Sequence, residues 1–108
     1  SKTWLSIDEL SSQLEINQRT ILKYLTFIEE DIDSFTSNKE IVLKIHNKKG
    51  YFLYYDFEPA LEDLIFRMIE QTINYQLIMK IFFSKMPSII QFSHQYYVSE
   101  SSLLFVAR

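Results

Sequence analysis

Residues 6–28, SIDELSSQLEINQRTILKYLTFI, decide the fold of this chain. The stretch opens with Ser6, which can cap a helix, and Glu9 stands three residues later, where it completes a capping box. The apolar residues that follow recur at helical spacing and mark one buried face; they are Ile7, Leu10 and Leu14. The sequence therefore predicts a short amphipathic helix that begins after Ser6.

A second helix follows after a tight turn. The apolar pattern breaks at Glu15-Ile16, and Asn17 is a good N-cap for a helix that begins at Gln18. Two such helices form a helix-turn-helix, whose second helix lies in the major groove with its N-terminal residues on the bases. The alternative is a pair of amphipathic helices from any small helical domain. The inward stripe of the second helix is Ile21, Leu25 and Ile28, with Tyr24 beside it, and the outward face is Gln18, Arg19, Thr20, Leu22, Lys23 and Thr26.

A β-hairpin is predicted next, after a loop at residues 36–39. Apolar and polar residues alternate over residues 41–46, which is strand periodicity, and residues 51–55 are rich in β-forming side chains. The turn between them, residues 47–50, holds the single glycine of the chain. A hairpin directly after a helix-turn-helix is a wing, and we expect its basic residues to contact DNA, although lysines at a hairpin tip can also be simply solvated; these residues are Lys44, Lys48 and Lys49.

The residues before the first helix are too few to form an element of their own. We expect Trp4 and Leu5 to be core contacts just before the Ser6 cap. After Ile28 we expect the second helix to fray through an acidic run that forms a solvated helix end, namely Glu29, Glu30, Asp31 and Asp33.

Two further helices are predicted beyond the hairpin. Pro59 suits the first turn of the earlier one, whose apolar stripe is Leu61, Leu64, Ile65, Met68, Ile69 and Ile73. Asn74 is the expected cap of the later one, which is apolar nearly all round and ends at Met86-Pro87. A helix of that kind is central to a core or covered by a partner.

The end of the chain repeats its beginning. Residues 88–105, SIIQFSHQYYVSESSLLF, align without a gap on residues 6–23, with apolar residues at every inward position and serines at both caps. We interpret this as a second helix-turn-helix, the alternative being a coincidence of helical periodicity. Because Glu100 and Phe105 depart from a basic reading face, the second unit is either a weaker DNA contact or a packing module. Its candidate DNA-binding residues are Ser99, Ser101 and Ser102.

Composition limits the possible functions. The chain has 108 residues, 47% of them hydrophobic, which suits one ordinary domain or two very small ones with a real core. It has no cysteine, and its two histidines, His46 and His94, do not stand at metal-ligand spacing, so we expect no enzyme, no cofactor and no metal site. No stretch looks like a signal peptide or a bilayer span, and we expect a cytoplasmic protein without a membrane partner. The net charge of −3 argues mildly against nucleic-acid binding, but distribution matters more than the sum.

The order of these elements resembles the N-terminal part of the Mga/RofA-like regulators. A helix-turn-helix with a short wing, a connecting helix and a second helix-turn-helix carrying YYVSESSL carry the resemblance, although SIDELSSQLEINQRTILKYL also looks like DeoR-type winged helices and sugar-operon regulators. The resemblance implies a mainly helical fold with a small hairpin and a transcriptional activator of virulence or surface-protein genes in Gram-positive cocci. It also implies that the main DNA reader is the exposed face formed by Gln18, Arg19, Thr20, Leu22 and Lys23.

The domain organisation follows from this interpretation. We expect a first, winged unit at residues 1–57 that lacks its first helix, a linker helix at residues 58–73, and a second unit at residues 74–108 that is cut within its recognition helix. The expected partners are double-stranded DNA and, in the full-length regulator, a second copy of the protein, with no small-molecule site. The rival interpretation is a winged-helix module for protein interaction or oligomerisation, which the aromatic residues of 51–57 would suit.

Overall fold

The computed structural model of the protein describes residues 4–35, 40–56 and 58–85. Within these ranges the chain is mainly helical with one two-stranded antiparallel hairpin, which confirms the predicted fold class. The elements in order are α1 (Ile7–Leu14), α2 (Gln18–Phe35), β1 (Ile41–His46), β2 (Gly50–Tyr55), α3 (Glu58–Ile69) and α4 (Ile73–Ser84).

The start of α1 and the turn into α2 form as the sequence predicts. The Ser6 hydroxyl accepts the backbone N–H of Glu9 at 3.0 Å, and the Glu9 carboxylate accepts the backbone N–H of Ser6 at 3.1 Å, so both halves of the capping box are present. Glu15 then reverses the chain with a left-handed φ of 55°. The Asn17 side chain accepts the backbone N–H of Arg19 at 2.8 Å, which caps α2.

Helix α2 is longer and better anchored than expected, and the prediction of a frayed, solvated acidic end is wrong. The helix continues to Phe35, because Ile32 lies four residues beyond Ile28 and extends the buried stripe. Asp31 is partly buried, since it forms an ion pair with Arg67 at 2.7 Å and accepts the hydroxyl of Tyr75 at 2.8 Å. The acidic run therefore contributes one carboxylate to the contact between α2 and the two later helices.

The hairpin has the predicted strands and turn. Ile41 pairs with Tyr55 at the open end, and His46 pairs with Gly50 beside the turn. Gly50 has a φ of +102°, a conformation that favours glycine over every other residue. One face of the hairpin lies on the core, through the buried side chains of Ile41, Leu43 and Leu53.

Leu5 is a core contact, as predicted, whereas the same prediction for Trp4 is wrong. The backbone N–H of Leu5 donates to the Tyr51 carbonyl at 2.8 Å, and the N–H of Tyr51 donates to the Leu5 carbonyl at 2.7 Å. Leu5 therefore forms an antiparallel bridge to strand β2 of the hairpin. Leu5 is buried, and neighbouring side chains of an extended chain point to opposite faces. Trp4 therefore lies on the outer face of the hairpin, with its ring 5.6 Å from that of Phe52 and 5.9 Å from that of His46, and not in the core.

The break between α3 and α4 corrects two further predictions. Helix α3 ends at Ile69 and α4 begins at Ile73, with Thr72 and not Asn74 at the N-cap position. Ile73 follows the break, so it no longer shares the helical phase of α3, and it is 58% exposed. Ile69, at the end of α3, is 44% exposed and also lies outside the predicted buried stripe. The other four members of that stripe are buried, namely Leu61, Leu64, Ile65 and Met68.

Helix α4 lies at the centre of the core, as its apolar sequence predicts. It packs against α1, α2 and α3. Its one buried polar side chain, Gln76, donates its amide N–H groups to the carbonyl oxygens of Met68, Ile69 and Gln71 at 3.1–3.2 Å. This side chain therefore satisfies the carbonyl groups left at the end of α3.

The second predicted helix-turn-helix lies largely outside the described residues. The expectations for Ser99, Ser101, Ser102, Glu100 and Phe105 fall there, as does the predicted end of α4 at Met86-Pro87. Among the helices in the described ranges, none is long and apolar enough to cross a bilayer.

Candidate nucleic-acid interface

The outward face of α2 begins at the Asn17 cap and is open to solvent. Gln18, Arg19, Lys23 and Thr26 are exposed there, and Leu22 is 47% exposed. Thr20 is partly buried at the edge of this face. The structure therefore places all six predicted residues on one helix, within about its first two and a half turns.

The cations on this face differ in how they are held. The Lys23 amino group lies 5.7 Å from the ring centre of Tyr24 and 5.9 Å from that of Phe27, which are cation–π distances. In the part of the chain that the structure describes, Arg19 has no acidic partner. The Thr26 hydroxyl donates to the Leu22 carbonyl at 3.0 Å and so retains its capacity to accept a hydrogen bond.

Gln18 has a partner that sequence reasoning missed. Its Nε2 donates to the Oδ1 of Asp8, in the first turn of α1. The two residues stand ten positions apart, and only the angle between α1 and α2 brings them together. No sequence pattern signals this contact.

The wing tip is closed by a histidine. The Nδ1 atom of His46 accepts the backbone N–H groups of Lys48 and Lys49, each at 3.1 Å. Because Nδ1 accepts, the neutral imidazole carries its proton on Nε2. His46 thus fixes the turn that presents both lysines, which are exposed.

The outer face of the wing combines lysines with aromatic rings. The Lys44 amino group lies 4.7 Å from the ring centre of Tyr54, and the Lys49 amino group lies 5.8 Å from the ring of Trp4. Both lysines lie on the hairpin face that does not pack on the core. This arrangement suits contact with a phosphate backbone, where cations supply affinity.

Helix α1 connects the start of α2 with the wing tip. Asp8 contacts Gln18 on one side, and on the other it lines a cleft together with His46 and Lys48. The outward face of α2 and the wing tip therefore flank the same end of α1. A major-groove reader beside a phosphate-binding hairpin is the geometry of a winged helix-turn-helix.

A second cluster lies towards the other end of α2. A cleft of about 470 Å³ is lined by Tyr24, Phe27, Glu30, Asp31, Gln71, Thr72 and Tyr75. Burial of the hydroxyl, and next its hydrogen bond to Asp31, raises the pKa of Tyr75 well above its ordinary value of 10.0. The same carboxylate raises the pKa of Arg67. These contacts join α2, α3 and α4, and we assign them to stability.

The aromatic residues invoked for the rival interpretation do not share one surface. Tyr51 and Tyr55 pack against the core cluster, whereas Phe52 and Tyr54 lie on the outer face of the wing. Phe57 lies outside the described residues. Among the residues described, no group of histidines and carboxylates could hold a metal ion.

Helices α1 and α2 form a winged helix-turn-helix with the hairpin, an arrangement found in DNA-binding domains. Residues 58–105 match the family model described as the Mga helix-turn-helix domain. This match confirms the resemblance to the Mga-like regulators, and it supports DNA binding and transcription regulation as the broad function. No curated protein and no solved structure matches the chain.

Proposed function

We propose that this chain is the sequence-specific DNA-binding region of a bacterial transcriptional regulator, and that the start of α2 is its main reader. The observation that carries the proposal is the open, capped start of α2, where Gln18, Arg19 and Lys23 stand exposed beside a basic wing. The N-terminal residues of a recognition helix are those that reach base edges.

Each side chain of this face has a role that fits its chemistry. Arg19 can form two parallel hydrogen bonds to a guanine, and Leu22 can contact a thymine methyl group. Lys23 and the hydroxyl groups of Thr20 and Thr26 suit phosphate oxygens. On the wing, the lysines position the duplex without reading its sequence; they are Lys44, Lys48 and Lys49.

The finer assignments rest on the family. We propose a cytoplasmic activator of virulence or surface-protein genes that self-associates in its full-length form. We also propose that the second unit, with Ser99, Ser101 and Ser102, adds a weaker DNA contact. The chemistry of the site needs no cofactor, and the proposed role is regulatory and not enzymatic.

Two substitutions test the proposed reader because they should weaken DNA binding in different ways. Arg19→Ala should weaken binding of a selected duplex by about 1–3 kcal/mol and relax base preference at one position. Lys23→Ala should weaken all sequences alike. Binding is measured by fluorescence anisotropy on duplexes recovered by the wild-type chain from a randomised library.

A matched control separates contact from net charge. Gln71→Glu also lowers the net charge by one, but it lies at the cleft beside Asp31, towards the other end of α2. We expect it to leave affinity and preference close to those of the wild type. Equal affinity of wild type, Arg19→Ala and Lys23→Ala, with all three folded, would refute the proposed reader and favour the interaction module.

A further inference from the structure

Asp8 holds one end of the side-chain amide of Gln18. The Gln18 Nε2 donates to Asp8 Oδ1, from the first residue of α2 to the first turn of α1. A carboxylate accepts hydrogen bonds and an ionised one donates none, so only the nitrogen end of the amide can face α1. The contact therefore removes the choice between the two orientations of the amide.

We propose that Asp8 is a positioning residue that orients Gln18 to read an adenine in the major groove. The inference rests on the proposed function, since it requires the start of α2 to lie on base edges. It goes further by naming the base, the residue that reads it and the residue on another helix that sets the reading.

The hydrogen-bonding capacity left on Gln18 matches adenine. An amide has two N–H donors and one carbonyl acceptor, and Asp8 takes one donor. One N–H and the carbonyl oxygen remain. Adenine offers the complementary pair in the major groove, an acceptor at N7 and a donor at the N6 amino group.

The same contact disfavours guanine. Guanine presents two acceptors in the major groove, N7 and O6. A free amide can turn both of its N–H groups towards them, but an amide held by Asp8 has one N–H left and brings its carbonyl oxygen towards an acceptor. Asp8 therefore widens the difference in affinity between adenine and guanine at this position.

The charge of Asp8 has an effect that can be measured separately. A carboxylate near the duplex repels phosphates, so its removal should strengthen binding to every sequence. Loss of orientation should instead lower the preference for adenine. Glu9→Gln is the matched control, because it removes a negative charge from the next residue of α1 and keeps a side-chain oxygen to accept the Ser6 N–H.

The experiment begins with selection of duplexes from a randomised library by the wild-type chain and by Gln18→Ala. The base pair at which Gln18→Ala loses selectivity is the one that Gln18 reads, and we expect adenine there. Anisotropy titrations then give the ratio of affinities for adenine over guanine at that position. Asp8→Ala should lower this ratio about five-fold or more, whereas Glu9→Gln should leave it unchanged.

A double-mutant cycle shows whether Asp8 acts through Gln18. In the Gln18→Ala background, Asp8→Ala should not change the ratio further, because the amide that it orients is gone. An unchanged ratio in Asp8→Ala alone, an equal loss in both backgrounds, or guanine at the Gln18 position would overturn the inference and leave DNA binding intact. Failure of the folded wild-type chain to bind any duplex would overturn the inference together with the proposed function.

Discussion

His46 shows how one side chain can set the shape of the wing. Its Nδ1 accepts two consecutive backbone N–H groups of the turn, at 3.1 Å each. The two lysines that follow depend on this turn for their direction. From the sequence, His46 could be placed on the wing, but its role as the acceptor that closes the turn required the backbone path of residues 46–50.

Removal of this acceptor should loosen the turn. His46→Ala should speed hydrogen exchange at the amides of Lys48 and Lys49 and weaken DNA binding, because the lysines lose a fixed position. His46→Asn is the control, since an asparagine side chain can accept the N–H two residues on. Amide exchange measured by NMR checks the prediction. Exchange at both amides as slow in His46→Ala as in the wild type would contradict it.

Gly50 is required for two reasons that act together. Its φ of +102° is strained for any residue with a side chain, and a Cβ there would lie 2.3 Å from the carbonyl oxygen of Leu5. We expect Gly50→Ala to lower the free energy of unfolding by about 1–3 kcal/mol or more. Asn47→Ala, in the exposed part of the same turn, should change it little. Urea denaturation compares the two, and a Gly50→Ala protein as stable as wild type would contradict the described pairing of Leu5 with Tyr51.

The sequence predicted the turn glycine and the caps of α1 and α2 because these depend on residues close together in the chain. It did not predict the contact between Asp8 and Gln18, which depends on how two helices cross. Trp4 was misplaced for a related reason. The face on which the Trp4 side chain lies follows from the pairing of Leu5 with Tyr51, 46 positions later in the chain. The sequence of the first five residues does not indicate this pairing.

At the scale of elements, the extension of α2 to Phe35 connects the proposed reader to α3 and α4. Ile32 continues the buried stripe, and Asp31 receives Arg67 from α3 and Tyr75 from α4. The spacing of Ile28 and Ile32 is a signal in the sequence for this extension. The acidic residues around it obscured that signal, because a cluster of charges usually marks a solvated surface.

The hydroxyl of Tyr75 should contribute measurably to stability. Tyr75 is 2% exposed and donates to a carboxylate, so Tyr75→Phe removes a charge-assisted hydrogen bond. We expect the free energy of unfolding to fall by about 1.5–3 kcal/mol. Tyr54→Phe is the matched control, because its hydroxyl contacts Asp56 at the surface, at 3.3 Å. Urea denaturation of both variants provides the test, and equal losses would contradict the assignment.

The same hydroxyl predicts how stability depends on alkaline pH. The pKa of Tyr75 in the folded protein is raised, so above its ordinary value of 10.0 the unfolded chain releases a proton that the folded chain retains. Stability from this group is complete below pH 10 and declines as the pH rises above it. Tyr75→Phe should therefore show a shallower decline than wild type in urea denaturation series above pH 10. Parallel declines would show that Tyr75 does not titrate in this way.

At the scale of the whole molecule, α4 is the central helix of the hydrophobic core. It packs against α1, α2 and α3, and seven of its side chains are buried. The sequence indicated a central helix through its nearly uniform apolar character. It could not indicate which helices α4 would cover, because a helix that is apolar all round has no single face to match with a partner.

The net charge does not describe the local charge at the proposed interface. Arg19, Lys23 and the wing lysines lie on the proposed reading face of α2 and on the hairpin, whereas Asp31 contacts α3 and α4. A net charge of −3 is therefore compatible with a basic interface. We therefore expect the salt dependence of DNA binding to follow the cations of this interface and not the net charge of the chain.

The most direct test of the central claim is the salt dependence of DNA binding by the full chain. In anisotropy titrations across a salt series, the logarithm of the binding constant should fall linearly with that of salt concentration, with a slope of about −0.9 for each phosphate contact. The double variant Arg19→Ala/Lys23→Ala should bind more weakly and with a shallower slope. A folded wild-type chain that does not bind duplex DNA at low salt, or a slope that the double variant leaves unchanged, would contradict the assignment of α2 as the DNA reader.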